Sequence, residues 1–138
     1  MRILVIESDE LLGECIRCGL SHYYHDVDWV RNGLAAQYFL QTEHFDVMVM
    51  DLDLLKPSGK EILNDIRSKN ITTPAVILSS SDSACNHIIG LNINVDYLCK
   101  PFELEDLCIR IRAIKNRSLF CAKSIIAVDN INGNKPRL

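Results

Sequence analysis

The sequence predicts an α/β fold, a doubly wound, five-stranded parallel sheet with helices on both faces. Short apolar runs alternate with helix-periodic segments five times along the 138 residues, and each parallel crossover needs a helix to return the chain. Most of these runs are continuous rather than alternating, which is how strands covered on both faces read.

Ile3–Ile6 is a continuous apolar run ending in acids, a buried parallel strand. From about Glu10 to Tyr23, Leu11 and Cys15, then Leu12, Ile16, Gly19 and Leu20, recur at helical spacing. Asp26–Arg31 alternates, as a half-covered edge strand does, and its Trp29 reads as packing on an outer strand. Gly33–Thr42 sets Leu34 with Tyr38 and Ala35 with Phe39 on one helical face. Asp46–Met50 is the next solid run and ends at Asp51, and Gly59–Lys69 follows as a helix carrying Ile62, Leu63 and Ile66. Pro74–Leu78 is a buried strand closed by serines, Ser83–Leu91 a weaker helix, and Val95–Cys99 the last strand, ended by Lys100-Pro101. Glu103–Asn116 is the clearest helix, with Leu104, Leu107, Cys108, Ile111 and Ile114 on one stripe. Residues 118–138 break the pattern, with one apolar run at Ile125–Val128 before a polar, turn-like end.

The length is that of one domain, and 48% hydrophobic with 24% charged residues is an ordinary soluble globular composition. A net charge of −3 argues against a free-standing nucleic-acid binder. The apolar run at the N-terminus is too short for a signal peptide or a membrane span, so a cytoplasmic protein without membrane association is expected. Cysteines 15, 18, 85, 99, 108 and 121 sit mostly within apolar patterns and read as reduced thiols. Cys15-x-x-Cys18 falls mid-helix with no second pair at ligand spacing, which favours plain thiols over a metal site. His22, His25, His44 and His87 are scattered and read as surface residues.

In an open parallel sheet, ligands bind beyond the carboxyl ends of the strands. Those ends present Glu7-Ser8-Asp9, then Asp51, Ser79 and Lys100. Any one of them reads alone as the polar cap that follows a buried strand. Together, in this order, carboxylates, a hydroxyl and an ammonium converge on one pocket. Ser8 and Asp9 compete to cap the first helix.

These residues, with ILVIES, FDVMVMDLDLL, PAVILSS, DYLCKPF and ELEDLCIRIRAI, resemble a response-regulator receiver domain (CheY-like), most similar to the OmpR/PhoB-type branch, from Met1 to about Arg117. The resemblance implies a flavodoxin-like sheet order of 2-1-3-4-5. It also implies that Asp51 takes a phosphoryl group from a sensor histidine kinase, as a carboxylate nucleophile in an in-line displacement. Mg²⁺ would be held by Glu7, Asp51 and the backbone of Asp53, while Lys100 and Ser79 contact the phosphoryl oxygens and Tyr97 is the aromatic switch. A cis Lys100–Pro101 bond is implied as well. Asp96, Asp106, Arg110 and Arg117 match positions from which such receivers form a homodimer across the fourth helix, fifth strand and last helix, although solvated charges are the plainer reading. The sequence departs from the family at Ser8, where a second acid is usual, at Leu55, where proline is preferred, and at Ile93-Asn94-Val95. Loss of an acid predicts weakened Mg²⁺ binding.

A degenerate receiver that dimerises or binds partners without phosphorylation is the alternative. Asp51-Leu52-Asp53 also resembles the D-x-D motif of haloacid-dehalogenase-like phosphatases, but those carry it on their first strand and need a late acidic pair that is not seen here. Residues 1–117 are therefore expected to be the receiver domain, and 118–138 a tail or the truncated start of an output domain. DNA would be bound only through such an output domain.

Overall fold

The computed structural model describes residues 1–23, 25–54, 57–81 and 94–130, the stretch 118–130 by its backbone alone. The expected helix Ser83–Leu91, together with His87, Leu55 and Ile93, lies outside the described residues. Strands β1 (Arg2–Ile6), β2 (Asp26–Val30), β3 (Val47–Asp51), β4 (Ala75–Ser79) and β5 (Val95–Cys99) form one sheet in the order β2-β1-β3-β4-β5. Every neighbouring pair is parallel, with Val5 opposite Trp29 and Val49, and Asp51 opposite Leu78. The order reverses between β1 and β3, so the carboxyl ends of these two strands flank the crevice where a ligand fits.

Alternate residues of the central strands enter opposite cores, because side chains of a strand point to the two faces in turn. Leu4, Ile6, Met48, Met50 and Ile77 pack with α2 (Gly33–Thr42) and α3 (Gly59–Ser68). Ile3, Val5, Val47, Val49, Val76 and Leu78 pack with α1 (Glu10–His22) and the C-terminal helix (Leu104–Asn130). Each such buried side chain stabilises the fold by roughly 1.5–3 kcal/mol relative to exposure. The edge strand β2 is only half covered, as its alternation predicts.

The helix starts are set by side-chain caps. Asp9, not Ser8, caps α1, its Oδ1 accepting from the amides of Leu11 (2.9 Å) and Leu12 (3.1 Å). Asn32 caps α2, and Ser58 with Glu61 forms a reciprocal capping box on α3.

The structure corrects several expectations about helix faces. On α1 the buried face is Gly13, Ile16 and Leu20, whereas Leu11 and Cys15 are exposed. On α2 it is Gly33, Ala36 and Leu40, leaving Leu34 and Tyr38 exposed. Gly13 lies against the Trp29 ring and Gly33 against Pro57, so both positions are buried where a side chain has no room. The C-terminal helix runs past Asn116 to Asn130 and takes in Ile125–Val128. No glycine or proline lies between Pro101 and Gly133 to stop it. Among the described residues, no helix is long and apolar enough to cross a membrane.

Candidate functional site

Asp51 is the last residue of β3 and is 4% exposed. Glu7 follows β1 directly and is 1% exposed, while Ser79 ends β4 and is fully buried. Polar groups in such positions persist only where partners compensate their lost hydration. The compensating group is Lys100, immediately after β5, whose Nζ lies 3.2 Å from Asp51 Oδ1 and 3.5 Å from Glu7 Oε1. The bond between Lys100 and Pro101 is cis. The Lys100 amide donates to the Ser79 carbonyl (2.9 Å), which ties the lysine to the end of β4. The Ser79 hydroxyl accepts from the Ser81 amide (3.1 Å), and the Asp53 amide donates to Asp51 Oδ1 (3.1 Å).

Two carboxylates and one ammonium share this pocket, and their electrostatics are unequal. Burial raises the Glu7 pKa from 4.5 to about 7, and the adjoining Asp51 carboxylate pushes it the same way. A hydrogen bond from the Asp9 amide and the charge of Lys100 oppose that rise without cancelling it. Burial alone would lower the Lys100 pKa, but Asp51 and Glu7 outweigh it, so it stands above its ordinary value.

The donor set fits a hard divalent cation in kind. Glu7 Oε1 is a buried acceptor that no hydrogen bond reaches, and it faces the same lysine as the Asp51 carboxylate. The set falls short in number, because Ser8 is exposed and brings no carboxylate, and Asp9 is committed to capping α1. Among the described residues, no group of three His, Cys, Asp or Glu side chains is arranged to hold a metal. Cys15 and Cys18 are exposed free thiols on α1.

The remaining expected residues lie apart from this pocket. Tyr97 is partly buried on β5 and packs against the core on the side of α2 and α3. Asp96 of β5 pairs with Arg110 of the C-terminal helix at 3.2 Å. Asp106 is exposed, and so is Arg117, whose Nη2 lies 3.4 Å from the Val95 carbonyl. The Asp51-Leu52-Asp53 segment belongs to the third strand and the turn after it, with Asp53 exposed, an arrangement unlike the first-strand motif of the phosphatases.

One contributor was not visible in the sequence. The Trp29 indole Nε1 donates to the Glu7 carbonyl at 3.0 Å. Strand register could have placed Trp29 beside the end of β1, but the direction of its ring is a tertiary fact.

The sheet order, with acids, hydroxyl and lysine gathered at the strand ends, defines the class as that of a CheY-like receiver domain. Residues 3–112 match the family described as "Response regulator receiver domain", and the chain belongs to that family. Its curated relatives are OmpR/PhoB-type regulators. The response regulator protein PmrA of Pseudomonas aeruginosa is 41% identical over 119 residues, covering 86% of this chain and 54% of that protein. The chain thus spans about half the length of the curated relatives it matches. Among solved structures, the receiver domain of a Francisella response regulator superposes with a TM-score of 0.77 at 32% identity, covering 85% of this chain and 98% of that one. The receiver domain of a Pseudomonas aeruginosa sensor histidine kinase shares the fold, with a TM-score of 0.75 at 21% identity, covering 83% and 97%. That structure holds a magnesium ion in its active-site cleft.

Proposed function

We propose that this chain is the receiver part of a two-component transcription regulator, accepting a phosphoryl group on Asp51 from a sensor histidine kinase in the cytoplasm. The observation that carries the reading is the buried Asp51 carboxylate at a strand end, with the Lys100 ammonium 3.2 Å from it. In the transfer, an oxygen of Asp51 forms the new bond to phosphorus as the bond to the donor's leaving group breaks. Asp51 needs no base, because it attacks as a carboxylate, and the demand is for charge neutralisation. Lys100 supplies one positive charge, and the Ser79 hydroxyl, at the end of the neighbouring strand, supplies a hydrogen bond. Glu7, Asp51 and the backbone carbonyl of Asp53 would hold Mg²⁺, which when bound supplies further positive charge to the phosphoryl oxygens. A receiver of the same fold holds magnesium in its active-site cleft, which supports a cation in this crevice.

The response follows from the new charge. It draws Ser79 and Lys100 toward Asp51 and biases the packing of Tyr97, so that β5 and the C-terminal helix present an altered surface to a second copy. Asp96, Asp106, Arg110 and Arg117 lie on that surface. DNA is contacted only through an output domain outside residues 1–138, a reading supported by relatives of which the matched segment covers 54%.

A second reading, the degenerate receiver, draws support from one feature. With Ser8 exposed and Glu7 titrating near 7, the pocket holds less negative charge at neutral pH than a pocket with two ionised acids on this loop. The deciding experiment is intact-mass spectrometry after incubation with acetyl phosphate and Mg²⁺. A phosphoryl increment in the wild type and none in Asp51→Asn is expected, whereas no increment in either would favour the degenerate receiver.

A further inference from the structure

We infer that Trp29 and Arg31, at the C-terminal end of β2, are positioning residues that hold the Glu7–Ser8 backbone and thereby aim the Glu7 carboxylate at the pocket. The inference rests on the proposed cation and phosphoryl site and adds how its only acid from the first loop is kept in place.

Three consecutive residues of β2 and its end bond to this one segment. The Glu7 amide donates to the Val30 carbonyl (3.1 Å), the Trp29 indole donates to the Glu7 carbonyl (3.0 Å), and Arg31 Nη2 donates to the Ser8 carbonyl (3.1 Å). The first is an extension of the parallel ladder between β1 and β2. The other two come from side chains and cross-brace the peptide where the ladder has ended.

The indole is itself fixed. A Cβ on Gly13 would lie 2.3 Å from the Trp29 ring carbons Cε2 and Cζ2, so α1 seats the ring where it carries no side chain. The Asp9 amide donates to Glu7 Oε2 at 3.3 Å, which leaves Oε1 turned toward Lys100. A shift of the Glu7 peptide therefore moves an acceptor that other bonds have already oriented. In a pocket with two acids on this loop, the second could compensate; with Ser8 in that place, nothing on the loop does. Arg31 is the lesser brace, because its side chain is 55% exposed and also lies 3.9 Å from Glu10.

Trp29 is the single tryptophan of the chain, so expression with a tryptophan analogue changes this residue alone. Benzothienylalanine keeps the fused-ring shape and replaces the N–H by sulfur, while 5-fluorotryptophan keeps the N–H. The measurements are Mg²⁺ affinity by calorimetry, the thermal midpoint, and amide exchange at Asp9 in metal-free protein. The expected result is a fall in Mg²⁺ affinity of about tenfold and faster Asp9 exchange with the sulfur analogue, at an unchanged thermal midpoint. The fluoro analogue should behave as the wild type, and Arg31→Met should show a smaller loss. Unchanged Asp9 exchange with the sulfur analogue overturns the inference, whatever the pocket binds. Faster exchange in a protein whose wild type binds no Mg²⁺ would sink the cation reading and leave the brace standing.

Discussion

Arg110 Nη1 lies 3.2 Å from Asp96 Oδ1 and 3.3 Å from Oδ2, so the C-terminal helix grips β5 within a single copy of the chain. Two of the residues expected at a dimer surface are thus already paired to each other. A dimer built there shares or re-forms this partly buried pair rather than creating it from free charges, so the pair adds little that the single copy lacks. The association is therefore expected to be weak in the resting protein and to depend on the phosphoryl switch.

Sedimentation tests this directly. Acetyl phosphate should convert the wild type toward a dimer, and neither Asp51→Asn nor Arg110→Ala should respond. A dimer that forms without donor, persists in Asp51→Asn and is lost in Arg110→Ala would point to phosphorylation-independent pairing. A monomer under every condition removes the dimer from the proposal.

Restoring the acid at position 8 should strengthen cation binding. Ser8 is exposed and contributes no carboxylate, and a hard cation gains from each added anionic oxygen. Ser8→Asp is expected to tighten Mg²⁺ by about tenfold, or roughly 1.4 kcal/mol. Calorimetric titration of both proteins measures it, and equal affinities would mean that Glu7 and Asp51 already suffice.

Glu7 should make the metal-free fold less stable as pH rises. Its folded pKa of about 7 exceeds the ordinary 4.5, so the native state holds a proton that the unfolded chain releases. The stability linked to that proton is complete below about pH 4.5 and is lost as the pH climbs through about 7. Glu7→Gln removes the titration and should be more stable than wild type at pH 8, by roughly 1–3 kcal/mol. That advantage should shrink toward pH 5 in urea melts run with a chelator. A constant difference at both pH values would assign it to packing instead of charge.

Gly13→Ala is expected to destabilise the protein by about 1–3 kcal/mol, the usual range for overpacking. The added methyl would stand 2.3 Å from the Trp29 ring, although alanine is the better helix former. Urea denaturation of the variant checks the magnitude. A stabilised variant would show that the ring yields without loss.

Much of the architecture was legible because buried parallel strands announce themselves. Val47–Met50 and Val76–Leu78 are unbroken apolar runs, and the polar residues that close such runs mark the pocket. The helix faces were less legible. Leu34 and Tyr38 look like core and are exposed, because the buried side of α2 is Gly33, Ala36 and Leu40, two of which are too small to register in a hydrophobic pattern. The contest between Ser8 and Asp9 for the α1 cap depended on backbone direction after β1, which composition does not encode. The capping box of Ser58 and Glu61 follows the Ser-x-x-Glu spacing that marks a helix start.

The seating of Trp29 gives the protein a built-in optical gauge. Indole emission responds to the hydrogen bonding and polarity around its N–H, and here that N–H is bonded to the Glu7 carbonyl. With no other tryptophan in the chain to dilute it, any event that displaces the Glu7 peptide is written into a single, unlabelled fluorescence signal. The kinetics of events at the pocket can thus be followed in real time without attaching a dye.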